Sequence, residues 1–263
     1  MELTIYQIDA FTNQVFKGNP AAVCPLEDWL PDETLLNIAI ENNLAETAFF
    51  VRQDSGVYHL RWFTPEIEMD LCGHATLASA YVIFEFLGHA EDTIRFDSQS
   101  GRLEVKKDGN ILEMDLPSRP PQQAELPRII SNALSIQPAE VWKARDYMLV
   151  YDSEDDIHNL KVSASVLEAI NIDPGGIIVT AEGVEADFVS RFFTPGAAVF
   201  EDPVTGSAHC TLTPFWAERL GKQTLQAFQV SPRLGVLECT LQGDRVLLRG
   251  QAVRYLEGKI YVS

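Results

Sequence analysis

The chain has 263 residues and sets 38 acidic side chains against 20 basic ones, a formal charge of −18. That balance lacks the clustered cations that displace counterions from a nucleic-acid duplex or bind an anionic membrane surface, so both are excluded as partners. A hydrophobic fraction of 46% is ordinary for a folded protein and too high for an acidic disordered chain.

The opening Met1-Glu2-Leu3-Thr4-Ile5 has no basic start, and Asp9 interrupts any apolar run behind it, so a cytoplasmic protein is expected. Ile5 to Ala10 reads as a strand. Pro31 to Asn42 reads as an amphipathic helix, with Asp32 and Glu33 at its positive start and Leu35, Leu36, Ile38, Ala39 and Ile40 as its core face. Thr47 to Val51 and Tyr58 to Phe63 read as strands. After Gly73, Ala75 to Phe84 is apolar nearly all round and far too short to cross a bilayer, which predicts a helix buried on every side. Gly88 stands where helices favour a terminating glycine. Leu103 to Leu116 reads as a hairpin about Asp108-Gly109-Asn110. The proline-rich stretch from Pro117 to Pro127 should break helix and ladder. Phe188 to Phe193 is the next clear strand, followed by a helix between Gly206 and Gly221 and a turn at Gln242-Gly243-Asp244. Cys24, Cys72, Cys210 and Cys239 form no C-x-x-C pair, so reduced thiols are expected.

Several of these features occur twice. Arg61-Trp62-Phe63-Thr64-Pro65 returns 130 positions later as Arg191-Phe192-Phe193-Thr194-Pro195. Gly73-x-Ala75 returns as Gly206-x-Ala208, and Glu85-x-Leu87-Gly88 as Glu218-x-Leu220-Gly221. Gly101-x-Leu103-Glu104 matches Gly235-x-Leu237-Glu238. Order is kept and the offset hardly drifts, which points to two homologous halves. The expected fold is α+β, with two pseudo-symmetric lobes that each curve a mixed sheet around a central helix. The lobes are placed at residues 1–118 and 128–263, with a linker at 119–127 and the last strand a candidate to return to the first lobe.

Two lobes predict a ligand cleft, and each glycine loop feeds the start of a buried helix. Unpaired amides and the helix dipole make Gly73-His74 and Gly206-Ser207 candidate donors for a substrate carboxylate. The same glycines also serve a tight turn that needs no Cβ. The residues about the loops differ: Asp70, Cys72 and His74 on one, Asp202, Thr205, Ser207, His209 and Cys210 on the other. Glu46 enters an apolar strand, either as its exposed first residue or as a desolvated acid suited to proton transfer. From position alone the edge reading is the stronger. A Ser-His-Asp hydrolase from Ser207, His209 and Asp202 fails because a histidine two residues along a helix points away from the serine. Cys72, His74, His209 and Cys210 have poor spacing for zinc, so no metal is expected. No glycine-rich nucleotide loop is present in the sequence.

Asp9-Ala10-Phe11-Thr12, Gly18-Asn19-Pro20-Ala21-Ala22-Val23 and Asn43-Leu44-Ala45-Glu46-Thr47 resemble the opening of the PhzF family of phenazine biosynthesis. Phe63-Thr64-Pro65, Cys72-Gly73-His74-Ala75-Thr76 and Glu201-Asp202-Pro203-Val204-Thr205-Gly206-Ser207-Ala208 complete the pattern, in order and in both halves. The resemblance implies the diaminopimelate-epimerase-like fold, with the active site between its lobes. It also implies an isomerase using neither metal nor organic cofactor, of the kind acting on trans-2,3-dihydro-3-hydroxyanthranilate, and a homodimer. It places the acid/base glutamate at Glu46, which reverses the reading from position, and active-site polar residues at His74, Asp202 and Ser207. Gly73 and Gly206 would flank the substrate, a small anionic metabolite, with Cys72 and Asn19 as further contacts. Epimerases of this fold use two cysteines; here Cys72 occupies the first position and Thr205 the second, which disfavours a two-thiol racemase. The alternatives are a non-catalytic binding protein on the same fold, or an epimerase acting through Cys72. For Cys72 the simpler role is a small buried residue at a strand end.

Overall fold

The computed structural model describes residues 1–53, 56–170, 175–197 and 199–262. The chain divides into two compact units, Met1–Asp115 with Leu248–Ser263, and Leu116–Leu247. Among the described residues no helix is long and apolar enough to cross a membrane.

The first unit contains β1 (Glu2–Ala10), β2 (Asn19–Leu26), α1 (Asp32–Asn42), β3 (Glu46–Arg52), β4 (Tyr58–Phe63), β5 (Glu68–Met69), α2 (Gly73–Phe86), β6 (Thr93–Ser98), β7 (Gly101–Asp108) and β8 (Ile111–Pro117), the last running to its boundary. Next come β9 (Gln122–Gln123), α3 (Arg128–Ala133), β10 (Glu140–Lys143), β11 (Tyr147–Val150), α4 (Glu154–Asn159), α5 (Ala164–Leu167), β12 (Ile177–Glu182), β13 (Phe188–Phe193), β14 (Glu201–Asp202), α6 (Gly206–Leu220), β15 (Thr224–Gln229), β16 (Gly235–Gln242), β17 (Arg245–Gly250) and β18 (Ala252–Tyr261).

The pairing shows that the duplication is one of ladders and not only of motifs. In the first unit β1 lies antiparallel to β2, β2 parallel to β3, β3 antiparallel to β4, β4 parallel to β6, and β6 antiparallel to β7. In the second, β10, β11, β12, β13, β15 and β16 repeat that succession of senses. Each parallel step needs a crossover, and helices supply it: α1 between β2 and β3, α2 between β4 and β6, α6 between β13 and β15. The C-terminal β18 pairs antiparallel with β1, on the side away from β2.

Helix α2 carries almost no polar face because β1, β2 and β3 all pack against it, and His74 to Ala80, Val82 and Ile83 are buried. The αL position expected at Gly88 follows its end at φ +66°, and Gly221 closes α6 at φ +65°. In α1 the expected core face is corrected at Ile40, which is exposed. Leu35, Ile38 and Ala39 lie at helical spacing on one stripe, and Ile40 falls beside it. Asp32 and Glu33 occupy the first turn as expected, and Asn43 caps the end in αL geometry.

Proline inside α6 requires a local repair. Pro214 has no N–H to give to the carbonyl of Cys210, four residues earlier. The N–H of Arg119 donates to that carbonyl instead, at 2.8 Å. The proline-rich segment, expected to break every ladder, also contributes a short one. Gln122 and Gln123 keep their amides and pair with Lys143 and Trp142 as β9.

Candidate functional site

In the first unit the side chains of four elements converge. Alternation along β3 sends Phe49 to the α1 side, with Leu35 and Ile38, and so Glu46 to the opposite face, that of α2. Asn42 Nδ2 donates to Thr47 Oγ1 at 3.1 Å, which pins the entry of β3 next to Glu46. Cys72 is the extended residue before α2, and Thr76 Oγ1 donates back to its carbonyl at 2.6 Å. No side chain caps the amides at the start of α2.

His74, the second residue of α2, is the hub. Its Nε2 lies 3.1 Å from Glu46 Oε2, with the imidazole 4% and the carboxylate side chain 16% exposed. Its Nδ1 lies 3.1 Å from Asn19 Nδ2 and 3.5 Å from Cys72 Sγ. Nε2 thus lies on the Glu46 side of the ring, and Nδ1 faces Asn19 and Cys72. Burial disfavours the charged ring, but Cys72 and Glu46 together outweigh it and hold His74 well above the ordinary histidine range. Burial, followed by the Glu46 charge, pushes the Cys72 thiol up to about 11, despite His74 beside it. Asn19 is fully buried, its amide engaged with His74. Glu46, Cys72 and His74 offer an oxygen, a sulfur and a nitrogen within 4.8 Å of one another, a set with the donor types of a soft divalent cation site. A Cys72–His74 hydrogen bond and the His74–Glu46 ion-pair contact hold the same three groups together.

In the second unit Arg191 on β13 clamps Glu201 bidentately, at 2.8 and 2.9 Å, and donates from Nη1 to the carbonyls of Ile157 and Leu160. This fixes β14, whose other residue is Asp202. Arg61 and Glu68 make the same clamp in the first unit at 2.7 Å for both bonds, so the repeated Arg-x-Phe-Thr-Pro is a device for holding the loop behind each short strand. Thr205 Oγ1 donates to Asp202 Oδ2 at 2.5 Å. Gln229 at the end of β15 accepts from the Thr205 N–H at 2.8 Å and donates to the Asp202 carbonyl at 2.8 Å. Gly206 begins α6 and is buried, and Ser207 is half-buried behind it.

His209 has another task. Its Nδ1–H donates to the Thr205 carbonyl at 2.8 Å, and burial pulls its pKa down to about 4, only partly offset by that bond. It is a neutral structural imidazole. Its place in the repeat is that of Thr76, which bonds the corresponding carbonyl in the first unit. Cys210 is buried and its thiol pushed up to about 11.

The site candidates therefore fall into two sets: Asn19, Glu46, Cys72, Gly73 and His74 in one unit, Asp202, Gly206 and Ser207 in the other. Gln229 and Arg191 were not among the candidates. The signal for Gln229 is a polar residue at a buried register, since β15 alternates exposed and buried positions with Leu225, Ala227 and Gln229 inside.

The family model described as phenazine biosynthesis-like protein, PhzC-PhzF, matches residues 8–258. A Pseudomonas aeruginosa protein named an uncharacterized isomerase is 50% identical over 262 residues, covering 100% of both chains. The crystal structure of a PhzF-family phenazine biosynthesis protein from Enterococcus faecalis superposes with a TM-score of 0.95 at 46% identity, covering 100% of both chains. A hydroxyproline epimerase from Agrobacterium vitis shares the fold, with a TM-score of 0.61 at 7% identity over 98% of this chain and 92% of that one. The architecture is the α+β, diaminopimelate-epimerase-like fold common to these proteins.

Proposed function

Because the chain belongs to the phenazine biosynthesis-like PhzC-PhzF family, we propose that it is an isomerase that relocates a proton on a small unsaturated or cyclic carboxylic acid. Glu46 is the acid and base, and no cofactor takes part. The observation that carries this reading is the partly buried Glu46 carboxylate, 3.1 Å from a histidine whose other nitrogen is engaged by Asn19 and Cys72.

His74, held well above its ordinary range, stands with Nε2 3.1 Å from Glu46 Oε2. With Oε2 against the histidine, Oε1 is the oxygen that takes a proton from a carbon next to the unsaturated system. Glu46, now protonated, returns the proton to a second carbon on the same face, so base and acid are one residue. The amides at the start of α2, from Gly73 and His74, offer hydrogen-bond donors for the substrate carboxylate. By the family motif, Asp202 orients a polar substituent and Gly206 and Ser207 bind the acid. Cys72, its thiol pushed up by burial, contributes packing and a weak hydrogen bond, and Thr205 in the second cysteine position counts against a two-thiol racemase.

The test is incubation with trans-2,3-dihydro-3-hydroxyanthranilate in D₂O, followed by NMR, for wild type and Glu46→Gln. Isomerisation with solvent deuterium incorporated at carbon, absent in Glu46→Gln, is the expected result. Failure of wild type to isomerise or exchange removes this substrate and sends the search to related acids. Equal rates in the two proteins remove Glu46 as the base.

A further inference from the structure

We infer that Gln229 is a positioning residue that locks the carboxylate of Asp202 through the hydroxyl of Thr205. The inference rests on the reading above only in taking Asp202 to act on the substrate.

Gln229 is completely buried, and its amide has three partners that leave it one orientation. The Thr205 N–H can only donate, so the group facing it at 2.8 Å is the Gln229 carbonyl Oε1. The Asp202 carbonyl can only accept, so the group facing it at 2.8 Å is the amide nitrogen Nε2. That same nitrogen lies 3.2 Å from Thr205 Oγ1 and donates to it. A threonine hydroxyl has a single proton. With Gln229 occupying a lone pair, that proton goes to Asp202 Oδ2, at the short 2.5 Å typical of a hydroxyl on a carboxylate. The chain Gln229 to Thr205 to Asp202 therefore has one direction, and it sets the rotation of the Asp202 side chain.

The fold itself does not require this arrangement. Thr205 and Cys72 precede their helices in the same extended conformation, at φ −115° and −141°. Ladder register places Ser98 of β6 where Gln229 stands in β15, since His59 pairs with Asp97 as Val189 pairs with Phe228. The first unit begins its helix with a thiol and a serine at these positions and has no such relay. The repeat has kept the helix start and added a glutamine and a threonine only where an aspartate needs orienting.

The experiment pairs Thr205→Val and Gln229→Met, both close in volume to the originals, with Thr205→Ser, which keeps the hydroxyl. With the acid that wild type turns over, the first two lower kcat by about 10- to 100-fold, the scale of a misplaced reacting group. Thr205→Ser stays within about threefold of wild type, and the double variant Thr205→Val/Gln229→Met is no worse than either single one, because both cut one relay. In an Asp202→Asn background Thr205→Val has no further effect on kcat. A second measurement needs no activity: in crystals of Gln229→Met the Asp202 carboxylate takes more than one rotamer. Additive losses in the double variant, or a single unmoved Asp202 rotamer in Gln229→Met, overturn the inference. Absence of turnover with every acid tried counts against the isomerase reading, while the crystallographic arm still decides this one.

Discussion

The starts of α2 and α6 are the same piece of fold used for two purposes. Each is an extended residue, a glycine and a buried helix, and each turns a side chain three residues after the glycine back onto the carbonyl before it, Thr76 in one and His209 in the other. The histidines occupy different places in this repeat and behave in opposite ways. Beside His74 the Cys72 and Glu46 charges outweigh burial and hold it above the usual histidine range, whereas burial pulls His209 down to about 4 and its bond to the Thr205 carbonyl offsets this only in part. Residue type does not set the chemistry at a helix start; the partners that the neighbouring strands bring there do. β2 and β3 bring Asn19 and Glu46 to the first start, and β15 brings Gln229 to the second.

The comparison breaks most readily at Glu46. Removing a general base costs about 10²- to 10⁴-fold in rate, so Glu46→Gln should lose kcat on that scale while its melting temperature stays near wild type. A parallel loss of folding would mean that the carboxylate serves the structure instead.

The two arginine clamps should differ in energy although they look alike. Arg61→Ala gives up one bidentate pair and an exposed bond to Asp32, worth little in water. Arg191→Ala gives up the same pair and also leaves two carbonyls beneath α4 without their donor. Urea denaturation should show a loss of about 3 kcal/mol for Arg191→Ala, the lower end for a broken buried pair, and a smaller one for Arg61→Ala.

The histidines make opposite contributions to pH dependence. His209 has a folded value of about 4, below its ordinary 6.5, so the unfolded chain binds the proton first as pH falls. Its stabilising effect is complete above 6.5 and is lost as pH falls from there to 4, about 3 kcal/mol in all. For His74 the folded value is raised, so its contribution is complete below 6.5 and is lost as pH rises through the higher folded value. Urea midpoints across pH should lose the acid slope in His209→Gln and the alkaline slope in His74→Asn. Identical profiles in all three proteins would show that neither environment is as described.

The smallest effect sits where α6 departs most from α2. Pro214→Ala restores an N–H that competes with Arg119 for the Cys210 carbonyl. Stability should change by about 1 kcal/mol or less, the scale of one intramolecular hydrogen bond. The Arg119 amide should exchange with solvent faster, which NMR reads directly.

Much of the fold was legible because it rests on local periodicity. The strand Tyr58 to Phe63 alternates apolar and polar residues, its repeat Phe188 to Phe193 has the same bounds, and the Asp108-Gly109-Asn110 turn lies where a glycine at φ +61° is needed. The unbroken apolar surface of α2 announced its burial. Ile40 was misjudged because membership of a helical face depends on a stripe width that composition does not define. Within the site, the motif residues could be named, but Gln229 could not, because it lies 24 residues from Thr205 along the chain and its amide has no pattern of its own.

The −18 charge, the duplicated motifs and the glycine-headed helices are properties of the sequence alone. They indicated that the chain is built twice and where the amides at the helix starts stand. Only the tertiary structure decided that Glu46 meets His74 at 3.1 Å, that His209 is a neutral core residue, and that Thr205 directs its proton at Asp202. The reason is that periodicity is set between neighbours along a chain, whereas protonation and hydrogen-bond direction are set by groups that only parallel crossovers and ladder register bring together.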